Sequence, residues 1–398
     1  MRTVRALGLV LLAILGATAC ASSLPSIGRE GAAFTPEADE QRLWAQGDRE
    51  AKAIGERVRL HDDPELGGYL SRLVERLTPP ALRVPGAPRL RVAVLRDPTL
   101  AVFALPGGDV LVTTGALASV QNEAQLALLL AREIAHVAGR HALAVQRESG
   151  LPSARAGGLG VFGPTAAAII ATDARLATLA ARPGYGESRE RDADVFALEA
   201  ITRAGWDARA GIEVYAALAR EGGERGRLET LALGAPLTLR ERLTSLRKLV
   251  SVRGVPLGAG RSTDEFETRR LAVMLGDAAE NVRAGRFALA RRQLDRVLSA
   301  TPDQARAHLL DGDWHRLQAQ RSRSDDERRS ELGRAQEAYE RAVSLDPALA
   351  AAHRQLGLLY FQGRDMARAV AEFESYVARA GDAADAARVG EYARELAR

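Results

Sequence analysis

The segment QLALLLAREIAHVAGRH, residues 125–141, decides the fold of this 398-residue chain. Its apolar residues recur with helical spacing, which predicts a buried amphipathic helix. Residues 133–136, EIAH, form the second half of the H-E-x-x-H motif, in which two histidines on one helix face bind zinc and the glutamate activates a water molecule. Arg132 stands where the first histidine belongs. Because E-x-x-H alone occurs by chance in many helices, its neighbours decide what it means.

Three further motifs surround this helix in the chain. Downstream, the segment SRERDAD at 188–194 places Glu190 and Asp194 one turn apart at the start of another amphipathic helix. Upstream, DPELGGY at 63–69 opens a helix, and FALPGG at 103–108 leads into a turn. Their types and their order give the E-x-x-H segment a context that chance does not provide.

The hydrophobic periodicity predicts an α+β, mostly helical chain. Residues 37–79 have helical spacing, and Pro79-Pro80 ends that run. Residues 89–114 change to the alternating pattern of strands, with a turn at 106–108, which indicates a β-hairpin or a small sheet edge. From residue 122 onward the pattern is helical again.

Together these motifs resemble the gluzincin metallopeptidases of the CAAX-prenyl-protease and heat-shock-protease type, over about residues 40–382. Within that group the chain is most similar to the periplasmic beta-barrel assembly-enhancing proteases, which carry C-terminal tetratricopeptide repeats. The resemblance implies a zinc site. It makes His136 the second ligand, Glu190 the third, Glu133 the general base and Asp194 a residue that orients the ligands.

The sequence departs from this family at essential positions. Arg132 replaces the first ligand, and a guanidinium stays protonated and has no lone pair for a metal. The family's later histidine, in a His-Pro segment, corresponds here to Ala235, and no histidine lies between His141 and His308. An asparagine common in the family is Ala101. We therefore expect zinc binding to be weak or absent.

Arg132 offers a substitute for the missing metal charge. We expect it to pair with Glu190 or Glu133 as a forked salt bridge inside the former cleft. His141 is interpreted as a residue at the end of the motif helix, with a role as surrogate ligand as the alternative.

The C-terminal third contains a repeat that resembles the tetratricopeptide pattern of small, aromatic and proline positions. The three copies are marked by Leu356, Gly357, Tyr360, Ala369 and Phe373; by Ala335, Tyr339, Ala342 and Pro347; and by Ala290, Leu294, Val297 and Pro302. An extra stretch, Gln318 to Glu331, is expected to lengthen the first helix or the loop of the middle copy. The alternative is a generic helical bundle. Stacked repeats would form an α-solenoid whose groove binds partner proteins.

The N-terminus predicts a lipoprotein. A basic start and a short apolar stretch lead into ATAC at 17–20, which resembles a bacterial lipobox, so Cys20 is the expected lipidation site. An ordinary signal peptide cut after Ala19 is the alternative. Since Ala21 is not the aspartate that retains lipoproteins at the inner membrane, the resemblance implies an outer-membrane anchor facing the periplasm. The Gly/Ala-rich segment 150–185 carries charges and is interpreted as a flap or covering helix rather than a membrane span.

Composition excludes several classes of protein. All but two of the 55 Lys and Arg residues are arginine, and 51 acidic residues leave a net charge of +4. This balance does not favour nucleic-acid binding, and the arginines at 320–329 are interleaved with acids as on a solvated helix face. One cysteine excludes an internal disulfide framework and a cysteine-built zinc site.

The sequence thus predicts four segments: a signal peptide at 1–19, a tether at 20–36, a metallopeptidase-like domain at 37–255 and a tetratricopeptide-repeat domain at 265–398. The favoured function is a catalytically impaired metallopeptidase homologue that acts as chaperone or scaffold in envelope protein assembly or quality control. Its expected partners are envelope or outer-membrane proteins bound through the repeat groove. The alternatives are an active zinc endopeptidase that degrades misassembled envelope proteins and a pure tetratricopeptide adaptor.

Overall fold

The computed structural model of the chain describes residues 24–27, 32–57, 60–98, 100–149, 185–225, 236–253, 260, 262–381 and 383–397. The signal peptide, Cys20, Ala235 and all but the last residue of the 150–185 segment lie outside these ranges, so the predictions for them stay predictions. Within the described ranges, no helix is long and apolar enough to cross a membrane.

The chain is mostly helical, with one small sheet, as the periodicity predicted. The metallopeptidase-like part contains α1 (Ala38–Arg57), α2 (Pro64–Leu77), a 3-10 helix (Pro80–Arg83), β1 (Arg91–Leu95), β2 (Val102–Ala104), β3 (Asp109–Thr113), α3 (Thr114–Ser119), α4 (Glu123–Ala138), α5 (His141–Ser149), α6 (Glu187–Arg203), α7 (Ala208–Ile212), α8 (Val214–Arg225) and α9 (Pro236–Arg253). The C-terminal part contains α10 (Asp264–Arg283), α11 (Phe287–Ala300), α12 (Ala305–Arg321), α13 (Asp325–Leu345), α14 (Ala350–Gln362), α15 (Met366–Arg379) and α16 (Ala386–Leu396).

The sheet has the strand order β1-β3-β2. β2 and β3 form the predicted antiparallel hairpin, with Phe103 opposite Leu111, and β1 lies parallel to β3 on the other side. All three residues of β2 are buried, and α4 packs against this strand. The sheet edge at β2 therefore adjoins the helix that carries the E-x-x-H segment.

Helix α4 is the centre of the core. The side chain of Asn122 caps its first turn by accepting the N–H of Gln125, and Gly139 follows its last residue. Every residue from Glu123 to Ala138 is buried except Arg132. The predicted amphipathic helix is thus covered on nearly all sides, and its one less-buried position is the one that departs from the family.

Residues 24–27 of the predicted tether are packed against the domain. Ile27 is 1% exposed, and its N–H donates to the carbonyl of Ala138 at the end of α4, at 3.0 Å. Leu24 packs on a small cluster that includes Leu43 and Tyr185. Part of the segment 20–36 is therefore held by the domain and is not a free linker. The local sequence does not predict this, because the contact is made with residues far away in the chain.

Helix α10 belongs to two cores at once. Phe266 and Val273 pack in the main core of the metallopeptidase-like part, whereas Met274 and Ala278 pack in the next cluster, which also contains Ala118 of α3. The predicted repeat domain beginning at 265 thus starts with a helix that completes its neighbour's core.

Glu123, the first residue of α4, accepts hydrogen bonds from three segments that meet where α10 begins. Its buried carboxylate accepts hydrogen bonds from the Tyr69 hydroxyl at 2.6 Å, the Trp206 indole at 3.0 Å and the Thr263 hydroxyl at 3.1 Å. These partners come from α2, the loop after α6 and the N-cap of α10. One side chain therefore joins the start of the motif helix to the first C-terminal helix.

We expect Glu123→Ala to lower the free energy of unfolding by about 2–3 kcal/mol, because it leaves the buried Tyr69 and Trp206 donors without their acceptor. Urea denaturation measures the loss. Glu75→Ala on the exposed face of α2 is the control and should change stability by less than about 0.5 kcal/mol. Equal losses for the two variants would contradict the role assigned to Glu123.

In two of the C-terminal helix pairs, α12–α13 and α14–α15, a glycine of the first helix meets an aromatic ring of the second. A Cβ at Gly357 would lie 2.6 Å from the Phe373 ring, and one at Gly312 would lie 2.4 Å from the Tyr339 ring. The repeat pattern singled out Gly357, Phe373 and Tyr339 but not Gly312, and the tetratricopeptide solenoid itself stays a prediction.

The extra stretch of the middle pair lengthens both of its helices, not only the first helix or the loop. Gly312 and Tyr339 are 27 positions apart, whereas Gly357 and Phe373 are 16 apart, a difference of 11. Helix α12 continues to Arg321 and α13 already starts at Asp325, so the added residues prolong the hairpin beyond its neighbours.

Candidate metallopeptidase-like site

Two packed helices bring the predicted site residues together. Helix α4 carries Arg132, Glu133 and His136, and α6 carries Glu190 and Asp194. The sequence separates the two groups widely, but in the fold they form one cluster of charged and polar side chains.

Arg132 lies at the centre of this cluster. Its guanidinium donates to Oε1 of Glu133 at 2.7 Å and forms an ion pair with Oε2 of Glu190, and its Nε lies 3.6 Å from Oδ1 of Asp194. The contacts expected from the sequence are thus present, and with both glutamates at once. Burial opposes the charge of Arg132, but the carboxylates of Glu190 and Glu133 raise its pKa well above the usual value, so it is a permanent cation.

Glu133 is held from two sides. Its Oε2 accepts the backbone N–H of Ala104, the last residue of the edge strand β2, at 3.2 Å, and its Oε1 accepts from Arg132. Burial raises the pKa of Glu133 to about 7, against the opposing effect of the Arg132 charge. The predicted general base is therefore close to half-protonated at neutral pH.

Glu190 behaves in the opposite way. Its Oε1 accepts the backbone N–H of Tyr185 at 3.1 Å. Burial would raise the pKa of Glu190, but the charges of Arg132 and Arg242 dominate and hold it far below its usual range. Glu190 is therefore ionised across the whole accessible pH range and neutralises Arg132.

Arg242 of α9 is a site residue that our sequence analysis missed. Its guanidinium donates to both carboxylate oxygens of Asp194, at 2.8 and 2.6 Å, and lies 3.4 Å from Oε2 of Glu190. Asp194 also accepts the Tyr215 hydroxyl at 2.8 Å. A second arginine thus fixes the carboxylate that was predicted to orient the site.

The hydrophobic pattern of α9 could have identified Arg242 as a buried site residue. The buried positions of α9 fall at Leu239, Leu243, Leu246 and Val250. Arg242 lies three residues after Leu239 and four before Leu246, on the same apolar stripe. A charge in such a stripe predicts a buried ionic partner, because an unpaired buried charge is too costly.

His136 and His141 form a buried pair beneath Tyr185. Their Nδ1 atoms are 2.7 Å apart, so one donates and the other accepts, and the Tyr185 ring lies 4.4 Å from the His136 ring centre to centre. Burial and the neighbouring Arg132 charge keep the pKa of His136 well below its usual value, so it is neutral. His141 begins α5, three residues after the motif helix ends at Ala138.

The donor set does not fit a zinc ion. Nε2 of His136 has no hydrogen-bond partner among the described residues and lies 3.9 Å from Oε1 of Glu190, so two of the family's ligands are close together. The third position is filled by the Arg132 guanidinium, which offers no lone pair and binds the Glu190 carboxylate itself. Among the described residues, no group of three or more His, Cys, Asp or Glu side chains could hold a metal ion.

Glu133 gives the stability of the fold a pH dependence of definite sign. Its pKa rises from 4.5 to about 7 on folding, so between these values the folded state holds a proton that the unfolded state has lost. The stabilisation is fully present below pH 4.5 and is lost as the pH rises through 7. His141, whose pKa falls to about 4 through burial, acts in the opposite direction over an overlapping range.

Comparison with Glu133→Gln isolates the contribution of Glu133. Between about pH 5 and pH 8, we expect the wild type to lose about 2 kcal/mol of unfolding free energy relative to this variant. Urea denaturation at several pH values measures the difference. Glu75→Gln, on an exposed surface, should follow the wild type at every pH. Parallel curves for the wild type and Glu133→Gln would show that the folded protein does not retain this proton.

Comparison with known proteins gives these features a family. The model of peptidase family M48 matches residues 64–268, just over half of the chain. A Vibrio cholerae protein, provisionally named a beta-barrel assembly-enhancing protease, is 30% identical to this chain over 233 residues. The match covers 56% of this chain and 47% of that protein. The beta-barrel assembly-enhancing protease of Escherichia coli K12 is 24% identical over 320 residues, 72% of this chain and 64% of that protein.

A shorter match reaches a eukaryotic protein. The mitochondrial metalloendopeptidase OMA1 of Schizosaccharomyces pombe is 41% identical over 75 residues, 18% of this chain and 21% of that protein. The chain thus spans from about half to two thirds of the length of its bacterial relatives. The family match includes α4, α6 and α9, which carry Arg132, Glu190 and Arg242. The chain belongs to peptidase family M48, the gluzincin-type group that its motifs resemble.

Proposed function

We propose that this chain is a catalytically impaired M48 metallopeptidase homologue that acts as a chaperone or scaffold in the assembly or quality control of envelope proteins. The observation that carries the proposal is the Arg132 guanidinium, which lies between Glu133 and Glu190 where the family has a zinc ligand. A permanent cation there repels a metal ion and occupies the carboxylates that would serve it.

The charged side chains of the cluster compensate one another without a metal ion. Arg132 and Arg242 supply two positive charges, and the carboxylates of Glu190 and Asp194 pair with them. Glu133, with its pKa at about 7, adds a charge only as the pH rises. A buried site whose charges are already paired gains little from a divalent cation and would have to break these ion pairs to bind one.

The envelope role is supported by the relatives. Two bacterial proteins similar to this chain are named as beta-barrel assembly-enhancing proteases. In our proposal the chain is lipidated at Cys20 and anchored in the outer membrane facing the periplasm. The paired C-terminal helices, with their glycine–aromatic contacts, are the proposed tetratricopeptide groove for envelope or outer-membrane client proteins.

Zinc content and peptidase activity test the proposal directly. We expect purified wild-type protein to contain far less than one zinc per chain by elemental analysis. With casein or a denatured outer-membrane protein as substrate, we expect the wild type to cleave no faster than Glu133→Gln, which has nearly the same shape but no carboxylate. One tightly held zinc per chain, or a cleavage activity that disappears in Glu133→Gln, would overturn the proposal and favour an active endopeptidase.

A further inference from the structure

Pro25 and Ile27, five and seven residues after the predicted lipidation site, are fixed to the end of the motif helix. Ile27 is buried and its N–H donates to the Ala138 carbonyl at 3.0 Å. The carbonyl of Pro25 accepts from the Arg140 guanidinium at 3.4 Å. Arg140 is itself immobilised, since it is buried and its guanidinium binds both oxygens of Glu40, at 2.9 and 2.6 Å.

This contact lies directly beside the site. Leu24 packs in a cluster with Leu43 of α1, Leu143 of α5 and Tyr185. Tyr185 in turn lies over His136 and donates its N–H to Glu190. We call the surface formed by Leu24–Ile27 and α5 the anchor face.

Covalent geometry limits how far the anchor face can lie from a lipid attached to Cys20. Four Cα–Cα steps join Cys20 to Leu24, which span at most about 14 Å in any conformation. A free tether over 20–36 would instead allow the domain to move up to about 60 Å from the bilayer. The docking of Leu24–Ile27 removes most of that reach.

We infer that the anchor face lies against the lipid surface and holds the site within about one domain radius of it. The partner of this face is the bilayer itself, so the polypeptides that reach the site are segments emerging at the membrane surface. This inference rests on the proposed lipidation of Cys20 and adds an orientation to it.

Energy transfer to the membrane tests this orientation in the full-length acylated chain. Because Cys20 is the only cysteine and its thiol is consumed by the lipid, a single added cysteine can carry a fluorescent donor. Arg42→Cys places it on α1 next to Leu43, and Arg388→Cys places it on α16, the last helix of the C-terminal array; both positions are exposed. The acceptor is a headgroup-labelled lipid in vesicles of phosphatidylethanolamine and phosphatidylglycerol.

We expect strong transfer from position 42 and weak transfer from position 388. Two changes should reduce transfer from position 42 while the protein stays on the vesicles. The first inserts 20 Gly/Ser residues between Ser22 and Ser23, which adds a coil of about 25 Å. The second is Ile27→Asp, which releases the buried contact. The insertion leaves the domain's own residues intact, so it keeps the test valid if Ile27→Asp affects folding.

Two results would overturn the inference: equal transfer from positions 42 and 388, or transfer from position 42 that the insertion does not change. A separate measurement, fractionation of the Cys20→Ala variant, tests whether Cys20 is lipidated at all. If Cys20→Ala protein remains in the bacterial membrane fraction, the lipidation at Cys20 is wrong, whatever the transfer shows.

Discussion

Replacing Arg132 by alanine should lower the free energy of unfolding by about 3–5 kcal/mol, because it removes the cation shared by several buried carboxylates. Glu133 and Glu190 would each lose their ion pair with Arg132. Arg242 would remain as the one arginine of the described residues that contacts Glu190 and Asp194. The loss should shrink as the pH falls, since protonation removes the uncompensated charges. Chemical denaturation at about pH 5 and pH 8 measures both effects.

Two further variants show whether the loss comes from charge. Arg132→Ala combined with Glu190→Gln should be clearly less destabilised than the sum of the single variants, because the carboxylate left uncompensated is also removed. Arg191→Ala, on the same helix as Glu190 but in an exposed pair with Glu187, should cost less than about 1 kcal/mol. A purely additive double variant, or a cost for Arg132→Ala no greater than that of Arg191→Ala, would show that Arg132 does not replace a metal charge.

Replacing Arg132 by histidine should raise the zinc affinity at least about 100-fold, since a missing ligand costs more than the 10–100-fold typical of residues that only support a ligand. The variant restores two histidines four residues apart on α4, next to Glu190. Nε2 of His136, which no hydrogen-bond partner occupies within the described part of the chain, then becomes available to a metal. Competition with a chelating dye at about pH 7.5 measures the affinity, and unfolding with and without zinc confirms binding to the folded state.

Arg132→Gln is the matched control for this experiment. It removes the same positive charge but supplies no imidazole, so it separates the loss of repulsion from the gain of a ligand. We expect Arg132→Gln to bind zinc much more weakly than Arg132→His. Equal affinities would mean that charge repulsion alone excludes zinc from the wild type. Recovery of peptidase activity is not required, because the family's later histidine is also absent at Ala235.

Local patterns were enough to predict the parts of the site that lie on strongly periodic helices. The spacing around 125–141 and 188–194 predicted α4 and α6, and the chemistry of a guanidinium among carboxylates predicted the pairing of Arg132. Arg242 was not predicted, because the family resemblance points to the position of the absent histidine, seven residues earlier. The charge within an apolar stripe was the signal that could have identified Arg242.

Other features depend on tertiary contacts that no short segment encodes. Ile27 lies in a stretch with proline and glycine neighbours that is typical of linkers. Its side chain is nevertheless buried in the main core, and its N–H donates to the carbonyl of Ala138, more than a hundred residues away. Glu123 was an ordinary first-turn acid in the sequence, yet its partners come from three other places in the chain. Such contacts require the whole fold.

The double membership of α10 has a consequence for how this architecture can be cut and recombined. In a fragment that begins at residue 265, Phe266 and Val273 would be exposed to solvent. The remaining domain would lose these two side chains from its hydrophobic core. A join after Arg283, where α10 ends, would in turn separate Met274 from Ala290 and Leu294, so an exchanged array has to match the packing face of α10. Because α10 is one continuous helix that packs in both cores, the direction in which the array leaves the domain is set by the domain that carries the site.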